Sequence, residues 1–176
     1  LGKAREAQEQ LDKALRATPR KVEVVRAVAA SYLGAGRLAE AEPLLEKIED
    51  GRVDARPDDV EWARRSLAVV KASGSDYGRF HEALGLVNLR LDEKGQLARD
   101  PAQERRDSTD TRRAQARVLA TQGQRQFRAR AIELLEGLGR DQTADDKYLL
   151  ALLYEADGSW PRASEKLREL CSTPTH

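Results

Sequence analysis

The sequence predicts an all-α protein of antiparallel helix pairs, about nine helices in a single domain spanning residues 1–176. Three observations carry that prediction. First, Tyr32, Gly36, Leu38, Ala41 and Leu45 return 122 residues later as Tyr154, Gly158, Trp160, Ala163 and Leu167, and such self-similarity takes precedence over any local reading. Second, the chain is 40% apolar, 35% charged and only 5% aromatic, a balance dominated by the good helix formers Ala, Leu, Glu and Arg. Third, apolar residues recur at three- and four-residue steps in runs separated by glycine or proline, the pattern of one-sided helices joined by short turns.

In chain order, Ala4, Ala7, Leu11, Ala14 and Leu15 place one apolar face on a helix over 3–17. Thr18-Pro19 reads as an N-cap and first-turn proline, because proline's missing N–H is harmless there. The helix expected next, 21–34, turns Val25, Val28, Ala29 and Tyr32 inward. Glycines at 34 and 36 permit a left-handed turn residue, and a partner helix over 38–49 follows. Pro43 lies near its first turn and is expected to bend it slightly. After the connector 51–58, Asp58 and Glu61 resemble a capping box. They open a helix that carries Val60, Ala63, Leu67 and Val70 and ends at Gly74. Its partner, 77–91, uses Phe80, Ala83, Leu84, Val87 and Leu91.

The polar stretch 92–108 is the longest connector and the segment expected to be most mobile. A helix over 109–122, with Ala114, Val118 and Leu119, pairs with one over 127–138, with Ala131, Leu134, Leu135 and Leu138, and Gly139 as C-cap. Thr143 with Asp146 repeats the capping signal before KYLLALLYEA, and Pro161 opens the final helix, to about Cys171. Thr173-Pro174 echoes Thr18-Pro19 at the other boundary. With no methionine at all, these half-units read as a fragment of a longer array.

Charge and composition narrow the function classes. Lys plus Arg is 31 against 30 Asp plus Glu, a near-balance that argues against a nucleic-acid binder resting on many uncompensated phosphate contacts. No apolar run approaches the ~18 residues a membrane span needs, and LGKAREAQEQ has no signal-peptide core. Cys171 is alone and cannot form an internal disulfide, which is compatible with a reducing compartment. The expected location is cytoplasmic. His81 has no second histidine to complete HExxH. Asp58-Asp59 and Asp145-Asp146 read as helix starts. No phosphate loop, nucleophile elbow or metal-spaced cluster occurs, so neither an enzyme nor a cofactor is expected. Tyr148 and Trp160 read as packing groups.

The aromatic, Gly36, Ala41 and Leu45, followed by a proline-opened helix, resemble the tetratricopeptide repeat family. The resemblance is specific at 25–45 and 150–167 and weak in the middle, where Val70 and Leu119 stand in for the aromatic. Marker alanines 7, 41, 83, 131 and 163 lie 34, 42, 48 and 32 residues apart. The resemblance implies a right-handed α-solenoid: a half repeat over 1–18, then repeats at about 19–53, 54–105, 106–142 and 143–174. Ala29, Ala41, Ala151 and Ala163 would let paired helices approach, while Tyr32, Leu45, Tyr154 and Leu167 fill the space between pairs. Gly36 and Gly158 would make the turns. No single pair can bury its own apolar face, so stability would come from stacked neighbours.

In such an array the inner, concave surface is lined by the first helix of each pair, and the family generally binds peptides or helices there. Six residues before the aromatic or its stand-in come Arg26, Arg64 and Arg113, with Lys71 and Arg117 nearby. A basic strip of this kind suits an acidic segment, because arginine's planar fork pairs carboxylates bidentately. The competing reading is ordinary surface pairing, since Glu23, Glu61 and Asp110 each lie three residues before one of these arginines. The family's terminal-carboxylate clamp is not carried over, because the only asparagine, Asn88, falls on a second helix. The expected function is a non-catalytic protein-interaction scaffold, with adjacent repeats of the parent chain as further partners. The alternatives are a structural spacer or self-association module, through apolar faces near Leu11 and Leu170, and an accessory domain of a larger enzyme.

Overall fold

The computed structural model of the chain describes residues 2–172, and the side chains of residues 2–5, 7 and 8 fall outside that description. The expectations for the Ala4 and Ala7 side chains, for Thr173-Pro174 and for His176 therefore lie outside the described residues. The fold is all-helical: α1 Gly2–Ala17, α2 Val22–Gly34, α3 Leu38–Glu49, α4 Pro57–Ala72, α5 Tyr77–Leu86, α6 Pro101–Arg106, α7 Thr109–Ala120, α8 Arg125–Glu136, a 3-10 turn Gly139–Asp141, α9 Ala144–Ala156 and α10 Trp160–Ser172. None of the described helices is long and apolar enough to cross a membrane.

Two compact units divide the chain, Leu1–Lys71 and Ala72–His176. In the first, α1 packs on α2 and α2 pairs with α3. In the second, α7 pairs with α8, α9 pairs with α10, α5 packs on α7 and α8 on α9. The repeated small positions explain the closeness of the pairs. Ala41, Ala83, Ala131 and Ala163 are all buried, as are Ala29 and Ala151. A methyl group at these sites lets backbones approach, and a bulky replacement would overpack them at about 1–3 kcal/mol. Leu45 is fully buried, but Leu167 is 39% exposed. Leu167 sits on α10, the last described helix, and no further described helix covers it.

The turn geometry matches the spacing that first marked the repeat. Gly36 (φ +70°) and Gly158 (φ +78°) are left-handed. In each case the next residue's N–H reaches back to the tyrosine carbonyl: Arg37 N to Tyr32 O at 2.9 Å and Ser159 N to Tyr154 O at 2.8 Å. These are Schellman closures, which satisfy the orphan carbonyls of a helix end. α5 ends the same way with Asn88 (φ +62°) in the glycine's role, and Leu89 N meets Leu84 O at 2.8 Å. Asparagine tolerates this conformation better than other side-chain-bearing residues. Consequently α5 stops at Leu86 rather than 91, and Asn88 lies in the turn beyond it.

Other boundaries also shift for identifiable reasons. Thr18-Pro19 does not cap α2. The Thr18 hydroxyl donates to Ala14 O at 3.0 Å and Lys21 N to Thr18 O at 3.2 Å, so the pair closes α1 and forms a turn with proline at its favoured second position. Lys21 precedes α2 without a side-chain cap. Pro57 begins α4, which places Asp59 rather than Asp58 at the third helical position, where its carboxylate accepts Arg56 N at 3.4 Å. Pro43 lies inside an unbroken α3. The residue that follows α8 is Gly137, in right-handed geometry, while Gly139 takes its positive φ in the 3-10 turn.

The connector 92–108 has local structure of its own. Asp92 Oδ1 accepts Lys94 N at 2.8 Å and Gln96 N at 2.9 Å, closing a tight turn across a single Leu91–Leu97 bridge. Asp100 then caps α6 by accepting Ala102 N and Gln103 N at 3.0 and 3.1 Å. Aspartate makes such local backbone bonds readily, so a polar composition here specifies turns. α6 is the element the sequence reading lacked.

Candidate functional site

The five cations expected on the inner face each meet an acid of their own chain. Arg26 projects from α2 and donates through Nη1 to Asp59 Oδ1 at 2.5 Å, with its guanidinium carbon 4.8 Å from the Trp62 ring centre. Asp59 is buried and also accepts Arg56 Nε at 3.5 Å. The Arg26 hydrogen bond, aided by the backbone of Arg56, holds the Asp59 carboxyl below the usual carboxylate range. Arg113, on α7, donates through Nε to Asp146 Oδ2 at 2.7 Å, through Nη1 to Asp110 at 2.9 Å, and through Nη2 to Asp141 O. Asp146 completes a capping box with Thr143, whose N–H donates to Oδ2 at 2.9 Å. Burial works against the Asp146 charge, but the bonds from Arg113 and Thr143 prevail and its carboxyl is held low.

The two pairs share a rule. Each arginine reaches an aspartate 33 residues on, at the third position of a later helix. The bonds tie α2 to the start of α4 and α7 to the start of α9. The sequence read these aspartates only as helix starts. The signal was present in the Arg-to-Asp interval, but it becomes meaningful only once both residues are known to face each other.

Arg64 has no such partner. Residue 97, 33 further on, is leucine. Its Nε lies 3.5 Å from Glu49 and its Nη1 3.7 Å from Glu61, and Nε is buried without a hydrogen bond among the described residues. Lys71 lies 3.7 Å from Glu42 and 3.6 Å from Glu46. Arg117 lies 3.9 Å from Asp145, both largely exposed. The long, solvated Arg117–Asp145 pair contributes little to stability, whereas the Lys71 side chain is only 14% exposed.

The tyrosines repeat a second arrangement. Tyr32 donates to Asp12 at 3.0 Å and carries the Arg37 guanidinium 4.6 Å from its ring centre. Tyr154 donates to Glu136 and carries Arg162 at 5.5 Å. Burial, then the bond to Glu136, pushes the Tyr154 hydroxyl up to about 12. Each tyrosine thus spans from its own helix to the one before its pair.

Six residues before Tyr154, where the other first helices carry arginine, α9 carries Tyr148. It is 55% exposed and Leu152, one turn on, is 44% exposed. They are the counterparts of Arg113 and Arg117 on α7. Trp160 is 62% exposed. Tyr148 and Trp160 are therefore not packing groups among the described residues: Tyr148 lies on the side of α9 opposite buried Leu150 and Leu153, and Trp160 begins α10, ahead of its buried Ala163. His81 is exposed, and the described residues contain no cluster of His, Cys, Asp and Glu suited to a metal. No family model and no curated protein matches the chain.

Proposed function

We propose that the chain is a stretch of α-solenoid built from tetratricopeptide-like pairs, a non-catalytic scaffold that holds a peptide segment or helix of a partner on the face made by its first helices. The reading places it as a module of a larger cytoplasmic protein. The observation that carries it is the exposed Tyr148–Leu152 pair on α9, set at the positions where α7 carries Arg113 and Arg117. An aromatic–aliphatic anchor beside a cation is the composition of interface centres, where aromatic residues and arginine dominate binding energy. Arg26 and Arg113 serve chiefly as clasps between pairs in this reading. Arg117, with its long pair to Asp145, is the cation available to an acidic partner.

Peptides selected from a random display library on the full chain test the proposal by fluorescence polarisation. Tyr148→Ser with Leu152→Ser is expected to weaken the selected peptides about tenfold or more, with thermal stability unchanged. Equal affinity in the double variant would reject this face. A second reading, self-association, draws on Trp160 and Leu167, both exposed on α10. Light scattering that shows a monomer across concentration would dismiss it.

A further inference from the structure

The segment 87–107 does more than lengthen a repeat, because together with α7 and α8 it lines a half-open cavity of about 650 Å³. That volume lies in the range of small-molecule sites. Asp107 lines it, buried, with no cation at salt-bridge distance among the described residues. Its carboxylate accepts three carboxamide N–H groups instead: Asn88 Nδ2 at 3.1 Å, Gln103 Nε2 at 2.9 Å and Gln115 Nε2 at 2.7 Å. A second Gln115 bond, Nε2 to Val87 O at 2.8 Å, fixes that nitrogen further.

The consequence lies in the other end of each amide. A carboxylate only accepts, so every amide must turn its nitrogen to Asp107 and its carbonyl oxygen elsewhere. No described donor meets the oxygens of Asn88, Gln103 or Gln115, although Gln115 is 2% exposed and lines the cavity. Gln115 is buried, Gln103 half-buried and Asn88 exposed, and all three line the same cavity as Asp107. On the α8 side, Glu133 is held by Arg99 at 2.7 Å, and Arg130 is held by Glu104 at 2.6 Å. These pairs neutralise each other and leave Asp107 as the buried charge without a counter-ion. Arg90, also in the lining, is exposed, where water screens it.

We propose that this cavity binds a small organic cation, an alkylammonium or guanidinium group, whose N–H donors meet the three carboxamide oxygens while Asp107 supplies the opposing charge. The cation could reach it as a free amine or as a basic side chain of another protein, and the chemistry of the site is the same for both. This inference is independent of the partner-holding face on α9, because the residues differ.

Calorimetric titration of the 176-residue chain with agmatine and with N-acetyl-arginine amide tests it, with neutral N-acetyl-norleucine amide as control. Either cation is expected to bind about tenfold or more tightly than the neutral control, the ratio expected where a charge meets a carboxylate that has no counter-ion. Agmatine alone binding would identify a free amine, and the capped arginine alone a side chain. Asp107→Asn is expected to abolish the preference for the cation. Ala129→Trp, at an exposed lining position on α8, is expected to block both cations while leaving Asp107 and its three amide partners unchanged, and it serves if Asp107→Asn does not fold. Equal binding of cation and control, binding undiminished in Ala129→Trp, or no binding of either cation at millimolar concentration would each overturn the proposal.

Discussion

The two ends of the chain and its middle solve the same packing problem with different chemistry. At the ends, in α1–α3 and α8–α10, a tyrosine donates to an acid of the helix before its pair, and a left-handed glycine closes the turn. In the middle, valine and leucine stand where the tyrosine would be. There Phe80 and Phe127, both buried with ring centres 5.4 Å apart, join α5 to α8. Hydrogen-bonded joints are directional. The aromatic contact rests on buried apolar area and ring packing instead, in the region where the interval between marker alanines stretches to 48 residues.

The largest effect that would break this comparison is Phe127→Ala. Truncating a buried aromatic should cost about 3–5 kcal/mol, read as a fall in the urea midpoint. A loss as small as that from a surface substitution would mean the middle is held by its polar network instead. Next come the clasps. Asp146→Asn should cost about 2 kcal/mol, the scale of hydrogen bonds to a charged group. Asp59→Asn should cost less, because Arg26 is 40% exposed where Arg113 is 19% exposed, and water replaces the lost partner more easily. The reverse order would show that the Trp62 contact, not solvent access, sets the strength.

Acid titration sharpens the same point. Both aspartates are held below the ordinary carboxylate range when folded, so the unfolded chain takes up their protons first as pH falls. Their contribution is complete above the unfolded value of about 3.9 and is lost as pH falls through the lower folded values. The urea midpoint is therefore expected to hold from neutrality to about pH 5 and decline below about pH 4. The Asp59→Asn, Asp146→Asn double variant should decline less steeply. An equally steep decline would assign acid sensitivity to other carboxylates. The smallest effect belongs to the turns. Gly36→Ala should cost about 1 kcal/mol for the left-handed conformation, and no more, because no atom lies within 4 Å of an added Cβ.

Much of the all-helical fold was legible. The α3 bounds, the Thr143–Asp146 box and the buried marker alanines follow from spacing and from cap chemistry, both local. The misreadings share a cause. Thr18-Pro19 has the residues of a helix start and closes a helix instead, because a threonine hydroxyl can serve either neighbour. Asn88 looked helical because Val87 and Leu91 keep the apolar step, yet a single left-handed residue ends α5. Arg26 and Arg113 have the types of ligand-binding residues, and residue type does not say whether a partner belongs to another molecule or to the same one.

The sequence by itself determined every helix but α6, most of their boundaries and the small residues at their crossings, because periodicity, capping and side-chain volume act within a few residues. Only the tertiary structure decided where the charges go. It directed two arginines to aspartates 33 residues away, left Tyr148 and Leu152 in solvent, and gathered the amides of Asn88, Gln103 and Gln115 around the Asp107 carboxylate. Ion pairs and amide networks depend on distances between atoms far apart in the chain, and those distances exist only once the helices have packed.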